Sequence, residues 1–128
     1  MTTTISTAAK NAACNAIVDL IDAGGGAGKV VLLTAGESEV ATLTFAATAF
    51  GSATGGVATS ADNIVSDSSA TGGTATLISL QDNASVEVTR GSVSAAGGAG
   101  DVTVNPTNVI IAGSNISCPD GGLTFTIV

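Results

Sequence analysis

The apolar pattern begins with a helical period. Between Ser6 and Ala23, apolar residues recur at spacings of three and four, which is the period of one face of an α-helix. The hydroxyl of Ser6 or Thr7 can cap the first turn, and the glycines after Asp22 favour an end there. The sequence therefore predicts a helix over residues 7–23. Its expected apolar face comprises Ala9, Ala13, Ile17, Leu20 and Ile21, widened by Ala12, Ala16 and Val18.

After Gly28 the pattern changes to about eight short apolar or alternating runs separated by Gly, Ser, Asn and Asp. Such spacing is typical of short β-strands. An Asp-Asn turn at 82–83 predicts a hairpin, with a glycine bulge at Gly91. Residues 50–74 are expected to form a long loop or weak edge strands. The predicted strands are 30–34, 40–45, 77–81, 86–90, 102–104, a buried run at 109–111, and 123–127.

These elements predict a mainly β fold, either a β-sandwich or a jelly roll, with one N-terminal α-helix against an edge or an opening. The length of 128 residues suits a single domain. We expect that domain to span 1–128, with the helix at 7–23 and a β domain at 29–128.

The charged residues of the chain limit which classes of molecule it is expected to bind. Ten acidic and three basic residues give a formal net charge of −7. Nucleic acids and anionic membranes bind largely through clustered Lys and Arg, whereas Lys10, Lys29 and Arg90 lie far apart in the sequence. The sequence therefore predicts that neither is a partner. The N-terminus has no basic region of the kind that opens a secretory signal, so we expect synthesis in the cytoplasm.

The chain has few of the residue types that catalysis requires. The chain has no histidine, which excludes Ser-His-Asp and Cys-His arrangements. Two cysteines, Cys14 and Cys118, are too few for zinc, and we expect both to be buried free thiols. A carboxylate pair for glycoside hydrolysis stays open, although three Phe with no Trp or Tyr offer few rings for a sugar. We therefore predict no enzyme activity, no cofactor and no metal.

Two segments suggest ligand sites and are better explained as turns. Gly24–Lys29 resembles a phosphate-binding loop, but the glycine spacing is wrong and no Ser or Thr follows the lysine. It also runs from a helix into a strand, away from a helix N-terminus. Asp62 with Asp67, or Asp82 with Asn83, could supply calcium ligands, but neither has the alternating spacing of a calcium loop.

An ordered set of segments resembles a family of small tailed-phage virion proteins. Each segment is short, but together they cover most of the chain in order. The segments are Asn15–Gly24, Gly28–Gly36, Leu43–Phe45, Ala49–Gly51, Gly56–Thr59, Thr71–Ala75 and the hairpin around Asp82. One departure is Glu37–Val40, which is shorter than the corresponding loop of the family.

The resemblance implies a capsid cement or decoration protein with a jelly-roll-like fold, located in the virion and bound to the major capsid protein. It implies synthesis in the cytoplasm of a bacterial host. Self-association is expected, as a dimer before a trimer, because two-fold pairing is the commonest closed symmetry. The alternatives are a tail or fibre component, a carbohydrate-binding module, for which Phe50 and its loop would have to be exposed, and, least favoured, a small hydrolase.

Overall fold

The computed structural model describes residues 3–127 and confirms a mainly β chain with one N-terminal helix. The helix α1 (Thr7–Asp19) continues into a 3-10 turn over Leu20–Asp22, so the helical path ends where the sequence predicts. Ser6 caps α1, since its Oγ accepts from the Ala9 N–H at 3.2 Å. Within the described residues nine strands follow: β1 (Lys29–Leu33), β2 (Glu39–Thr44), β3 (Val57–Thr59), β4 (Gly73–Thr74), β5 (Leu77–Gln81), β6 (Glu87–Ala95), β7 (Val102–Val104), β8 (Val109–Ile110) and β9 (Thr124–Thr126).

Five of these strands form a curled sheet in the order β2-β1-β5-β6-β7. All neighbours are antiparallel except β6 and β7, which are parallel. Alternation places every second side chain on one face, and that inner face carries the apolar set. This set includes Val30, Leu32, Leu43, Ile78, Leu80 and Val93.

The inner face is covered by a second layer. Buried side chains of residues 45–72 belong to the same hydrophobic cluster, and two short ribbons, β3 with β9 and β4 with β8, contribute to it. Buried side chains of both layers join in one hydrophobic cluster that also includes Cys14, Val18 and Ile21 of the helical segment. The result is consistent with a β-sandwich or jelly-roll-like fold.

The predicted hairpin is confirmed as β5 and β6. The Val86 N–H donates to Asp82 Oδ1 at 2.9 Å, and Ser85 takes the positive φ of 66°. The expected bulge at Gly91 is wrong, because Gly91 pairs regularly with Ile78 and the irregularity lies between Leu80 and Gln81. A side chain at Gly91 would approach Ile78 and Asp101, so the glycine allows close packing in place of a bulge.

The buried face of the helix overlaps the predicted one only in part, at Val18 and Ile21. Cys14, Val18 and Ile21 are buried, whereas Ala9, Ala13 and Leu20 are exposed. An alanine methyl gains little from burial. The orientation of the helix is therefore set by polar side chains that lie on the buried face, beside Cys14 and Val18.

Three polar side chains of the helical segment accept hydrogen bonds from the backbone of residues 49–56. Asn11 Oδ1 accepts from the Gly56 N–H at 2.7 Å, and Asn15 Oδ1 accepts from the Ala53 N–H at 2.7 Å. Asp22 Oδ1 accepts from the Ala49 N–H at 2.8 Å. We call these three side chains the helix anchors. They supply acceptors to an irregular segment that has few strand partners.

One further prediction is confirmed and one is wrong. Residues 50–74 contain short paired strands, β3 and β4, within otherwise irregular structure. The run at 109–111 is not buried as a unit, because Val109 is 56% and Ile111 is 75% exposed while Ile110 alone is buried. The ribbon of β4 and β8 is only two residue pairs long, and Ile110 is the residue of the 109–111 run that packs into the core.

Candidate interaction surface

Several strands lack a strand partner along one edge within residues 3–127, and two of them, β7 and β9, line the same pair of cavities. β7 is the last strand of the five-stranded sheet, and β9 pairs with β3 alone. Val104 O accepts from the Ala96 N–H on the β6 side. Because backbone groups alternate along a strand, the N–H and C=O of Thr103 point to the free side. Unpaired strand edges invite another chain.

A groove lies between the two free edges, beneath residues 115–126. It consists of two adjoining cavities of about 360 Å³ and 390 Å³. Ile78, Val102 and Leu123 line both of them. The floor is the inner face of the sheet, and the C-terminal segment forms the opposite wall. The sandwich is therefore incompletely filled on this side.

Polar groups lie at the margins of the groove. Asn105, Asn115 and Ser117 line the first cavity, and Arg90 and Asp101 line the second. The apolar residues form the interior, so the groove combines an apolar floor with polar margins. That composition is common in binding sites for another molecule.

The only basic residue that lines the groove, among the described residues, is already held by two acids. Arg90 forms ion pairs with Glu37 and, at 2.9 Å, with Glu87. Ser79 Oγ donates to Glu87 Oε2 at 2.5 Å. The hydrogen bond from Arg90, aided by that from Ser79, lowers the pKa of Glu87 below its usual value. Arg90 therefore offers no free positive charge to a ligand.

Two carboxylates in or beside the groove have no basic partner in the described part of the chain. Asp101 lines the second cavity, and Asp120 directly follows Pro119, which lines the first. Asp101 Oδ2 accepts from the N–H and the Oγ of Ser92, both at 2.8 Å, and these bonds lower the pKa of Asp101. Asp120 stands beside Cys118 and accepts from the Asn63 N–H at 3.0 Å. The margin of the groove is therefore acidic.

Both thiols are free, as predicted, but only one is fully buried. Cys14 Sγ donates to the carbonyl of Phe125 at 3.5 Å, which links α1 to β9. Cys118 lines the first cavity and is half-buried. Burial, with a smaller contribution from Asp120, raises the pKa of Cys118. A raised pKa reduces the thiolate that would act as nucleophile or metal ligand.

The ligand-like motifs of the sequence serve as structural turns. Lys29 begins β1, and its Nζ donates to Ser85 Oγ at 2.8 Å. Asp67 accepts from the Thr42 N–H at 2.9 Å and from the Ser69 N–H at 3.0 Å. Asp62 is exposed, and Asp82 caps the hairpin turn. Within residues 3–127 no three His, Cys, Asp or Glu side chains gather as a metal site.

Phe50 is 5% exposed and packs on Phe45 with ring centroids 5.4 Å apart. The carbohydrate alternative required this ring to be exposed. Phe50 lines the second cavity, but its ring is almost wholly buried, which counts against the exposed platform that a sugar ring would need.

Sequence patterning predicted the strands that bound the groove, but not the groove itself. One local signal was present. A strand of three residues between Gly100 and Pro106 is typical of an edge, since natural edge strands are short and end at Gly or Pro. The apposition of β7 and the segment at 115–126 depends on the whole topology and has no local signal.

Most of the other exposed apolar side chains are dispersed, the exception being Val109 and Ile111, which flank Ile110 at β8. Val65, Val86 and Leu20 belong to separate elements and are between 56% and 61% exposed. Single exposed apolar residues are normal on soluble surfaces. Of the apolar features, the groove is the one with both depth and unpaired backbone.

No protein-family model matches this chain, and neither does any curated protein or solved structure. Between residues 3 and 127, no helix has the length and apolar character needed to cross a bilayer.

Proposed function

We propose that this chain is a non-enzymatic virion structural protein, a cement or decoration protein that binds the major capsid protein of a tailed phage and stabilises its shell. The observation that carries the proposal is the apolar groove between two unpaired strand edges. Such a surface suits another polypeptide, which can pair with the edge and fill the groove. The ordered resemblance to small virion proteins supplies the setting.

The mechanism needs only binding. Each copy contacts neighbouring capsid subunits and removes apolar surface from water, which stabilises by about 25 cal/mol per Å². A specific interface of standard size buries about 1,600 Å² in total. Part of this gain offsets the lost freedom of the bound copy. Symmetry repeats the remainder over the whole shell, so that a moderate contact resists internal pressure.

The remaining partner predictions belong to this proposal. The net charge of −7 disfavours nucleic acid and anionic membranes. Self-association is proposed as a dimer before a trimer, and sedimentation equilibrium of the isolated chain would distinguish them. The chain is proposed to be made in the cytoplasm of the bacterial host and to reside in the virion. A tail or fibre component is the alternative within the same class.

The test is the number of copies per particle. Virions of the phage that encodes the chain would be purified, and the chain quantified against the major capsid protein. A ratio of one to one, or one to a small integer, is expected for a cement protein. A few copies per hundred capsid subunits would favour the tail alternative, and absence from the particle would reject the virion proposal.

A second measurement addresses the stabilising role. Particles lacking this chain should lose integrity at a lower temperature than complete particles, and adding the purified chain back should restore the difference. If the two kinds of particle break down at the same temperature, the chain decorates the shell without stabilising it.

A further inference from the structure

We propose that the groove binds an extended segment of a partner protein, with apolar side chains at alternate positions and basic residues at its ends, which pairs with the free edge of β7. The inference rests on the proposed function in one respect, namely that the groove is a contact surface for another protein. It goes further by naming the form, the side-chain pattern and the charge of what binds there.

Within the described residues, the free edge of β7 offers unpaired backbone groups. The N–H and C=O of Thr103 point away from β6. Thr103 also lines the first cavity, so a strand added at this edge lies at the mouth of the groove. An extended segment supplies the complementary donor and acceptor, which a helix does not, because its own backbone groups are paired internally.

The groove is deep enough to receive side chains of a bound segment. Side chains of an extended segment alternate between its two faces. One set would enter the cavities over Ile78, Val102 and Leu123, and the other would face solvent. Two cavities side by side suit two successive inward side chains better than a single bulky ring. An alternating pattern of β-branched and polar residues meets both conditions.

The carboxylates beside the groove are not paired with basic residues within residues 3–127. Asp101 and Asp120 hydrogen-bond to neutral groups, and Arg90 is held by Glu37 and Glu87. A ligand at the groove therefore meets uncompensated negative charge. Complementary potentials favour association and suppress the wrong partner, so the ends of the segment carry Lys or Arg.

The probe is a synthetic peptide, Lys-Thr-Val-Thr-Val-Thr-Val-Lys, capped at both ends and added to the complete ¹⁵N-labelled chain. One comparison peptide has the same composition with its three valines in succession, and another has glutamate in place of lysine. We expect saturable amide shifts at Thr103 and around Leu123 with the first peptide, and weaker binding by both comparison peptides.

Hydrogen exchange tests the strand geometry separately. The Thr103 N–H should exchange readily in the free chain and become protected when the peptide is bound. Protection is expected because pairing occupies the amide. Binding without protection of Thr103 would overturn strand addition, since the peptide would then lie in the groove in another way.

Charge is tested with variants that keep the acceptor oxygens. Asp101→Asn combined with Asp120→Asn should weaken peptide binding about two- to thirtyfold, from two exposed ion pairs. The matched control, Asp19→Asn with Glu39→Gln, removes the same charge away from the groove and should leave binding within about twofold. An equal loss in both double variants would overturn the acidic margin as the cause.

The inference and the proposed function can fail separately. If no peptide binds saturably at about millimolar concentration, or if the comparison peptides bind as well as the first, the groove inference is wrong, whatever the copy number. If the peptide binds as expected but the particle lacks the chain, the groove inference stands and the virion role falls.

Discussion

Replacing Asn15 by alanine sets two effects of opposite sign against each other. Alanine is the better helix former, and the change alone should stabilise α1 by about 0.5–0.7 kcal/mol. The same change removes the Oδ1 that accepts from the Ala53 N–H at 2.7 Å. Ala53 is 8% exposed, so its N–H is poorly placed to find water.

The hydrogen-bond effect should win. Leaving a buried donor unsatisfied costs about 1–3 kcal/mol, and after the gain in helix propensity we expect a net loss of about 0.3–2.5 kcal/mol. The assay is urea unfolding followed by circular dichroism. With a slope of about 1–3 kcal/mol per M, the midpoint should fall by roughly 0.1–2.5 M.

Two control variants separate the effects. Ala12→Asn places the same pair of residues on the exposed face of α1, where only propensity acts, and should cost about 0.6 kcal/mol. Asn15→Asp keeps an acceptor oxygen and should recover most of the stability. If Asn15→Ala stabilises the chain by the propensity difference, the helix anchors do not hold the segment at 49–56 and the reasoning is refuted.

Three further outcomes follow from buried and paired groups, each measured by unfolding. Burial raises the pKa of Asp22, so stability should fall as pH rises from the ordinary aspartate value through the raised one, and Asp22→Asn should lack this fall. The hydrogen bonds from Arg90 and Ser79 lower the pKa of Glu87. The stability that ionised Glu87 contributes is therefore fully present above the ordinary glutamate pKa and is lost as the pH falls through the lowered pKa. A Glu87→Gln variant that lost as much stability in acid as the parent would contradict this. A Cβ at Gly28 would lie 2.7 Å from the carbonyl oxygen of Ile21, so Gly28→Ala should cost about 1–3 kcal/mol. A Cβ at Gly36 would meet only Thr34 Oγ1, at 3.9 Å, an ordinary contact, so Gly36→Ala should change stability by less than about 0.5 kcal/mol.

Alternation of apolar residues identified the long strands well. β1, β2, β5 and β6 lie within one or two residues of their predicted starts, because one face of the sheet is buried and the period of two is therefore enforced. β3 and β4 carry little apolar signal of their own. Their pairing partners, β9 and β8, lie far along the chain, and local patterning cannot show such contacts.

The helix face illustrates a different limit. The periodic rule counts alanine as apolar, and on that count Ala9 and Ala13 belonged to the buried side. The hydrogen bonds that Asn11 and Asn15 accept from the backbone of an irregular segment outweigh the small gain from burying methyl groups. The groove at β7 was hidden for a related reason, since it exists only where distant segments meet.

The contact between α1 and β9 bears on the order in which the chain folds. A helix of 13 residues is marginal when isolated in water, and the partners that hold α1 are the segment at 49–56 and the carbonyl of Phe125, 111 residues from Cys14. Closing so long a loop is slow compared with forming the β5–β6 hairpin. The hairpin should therefore nucleate folding, and the first element of the chain should be among the last to become fixed.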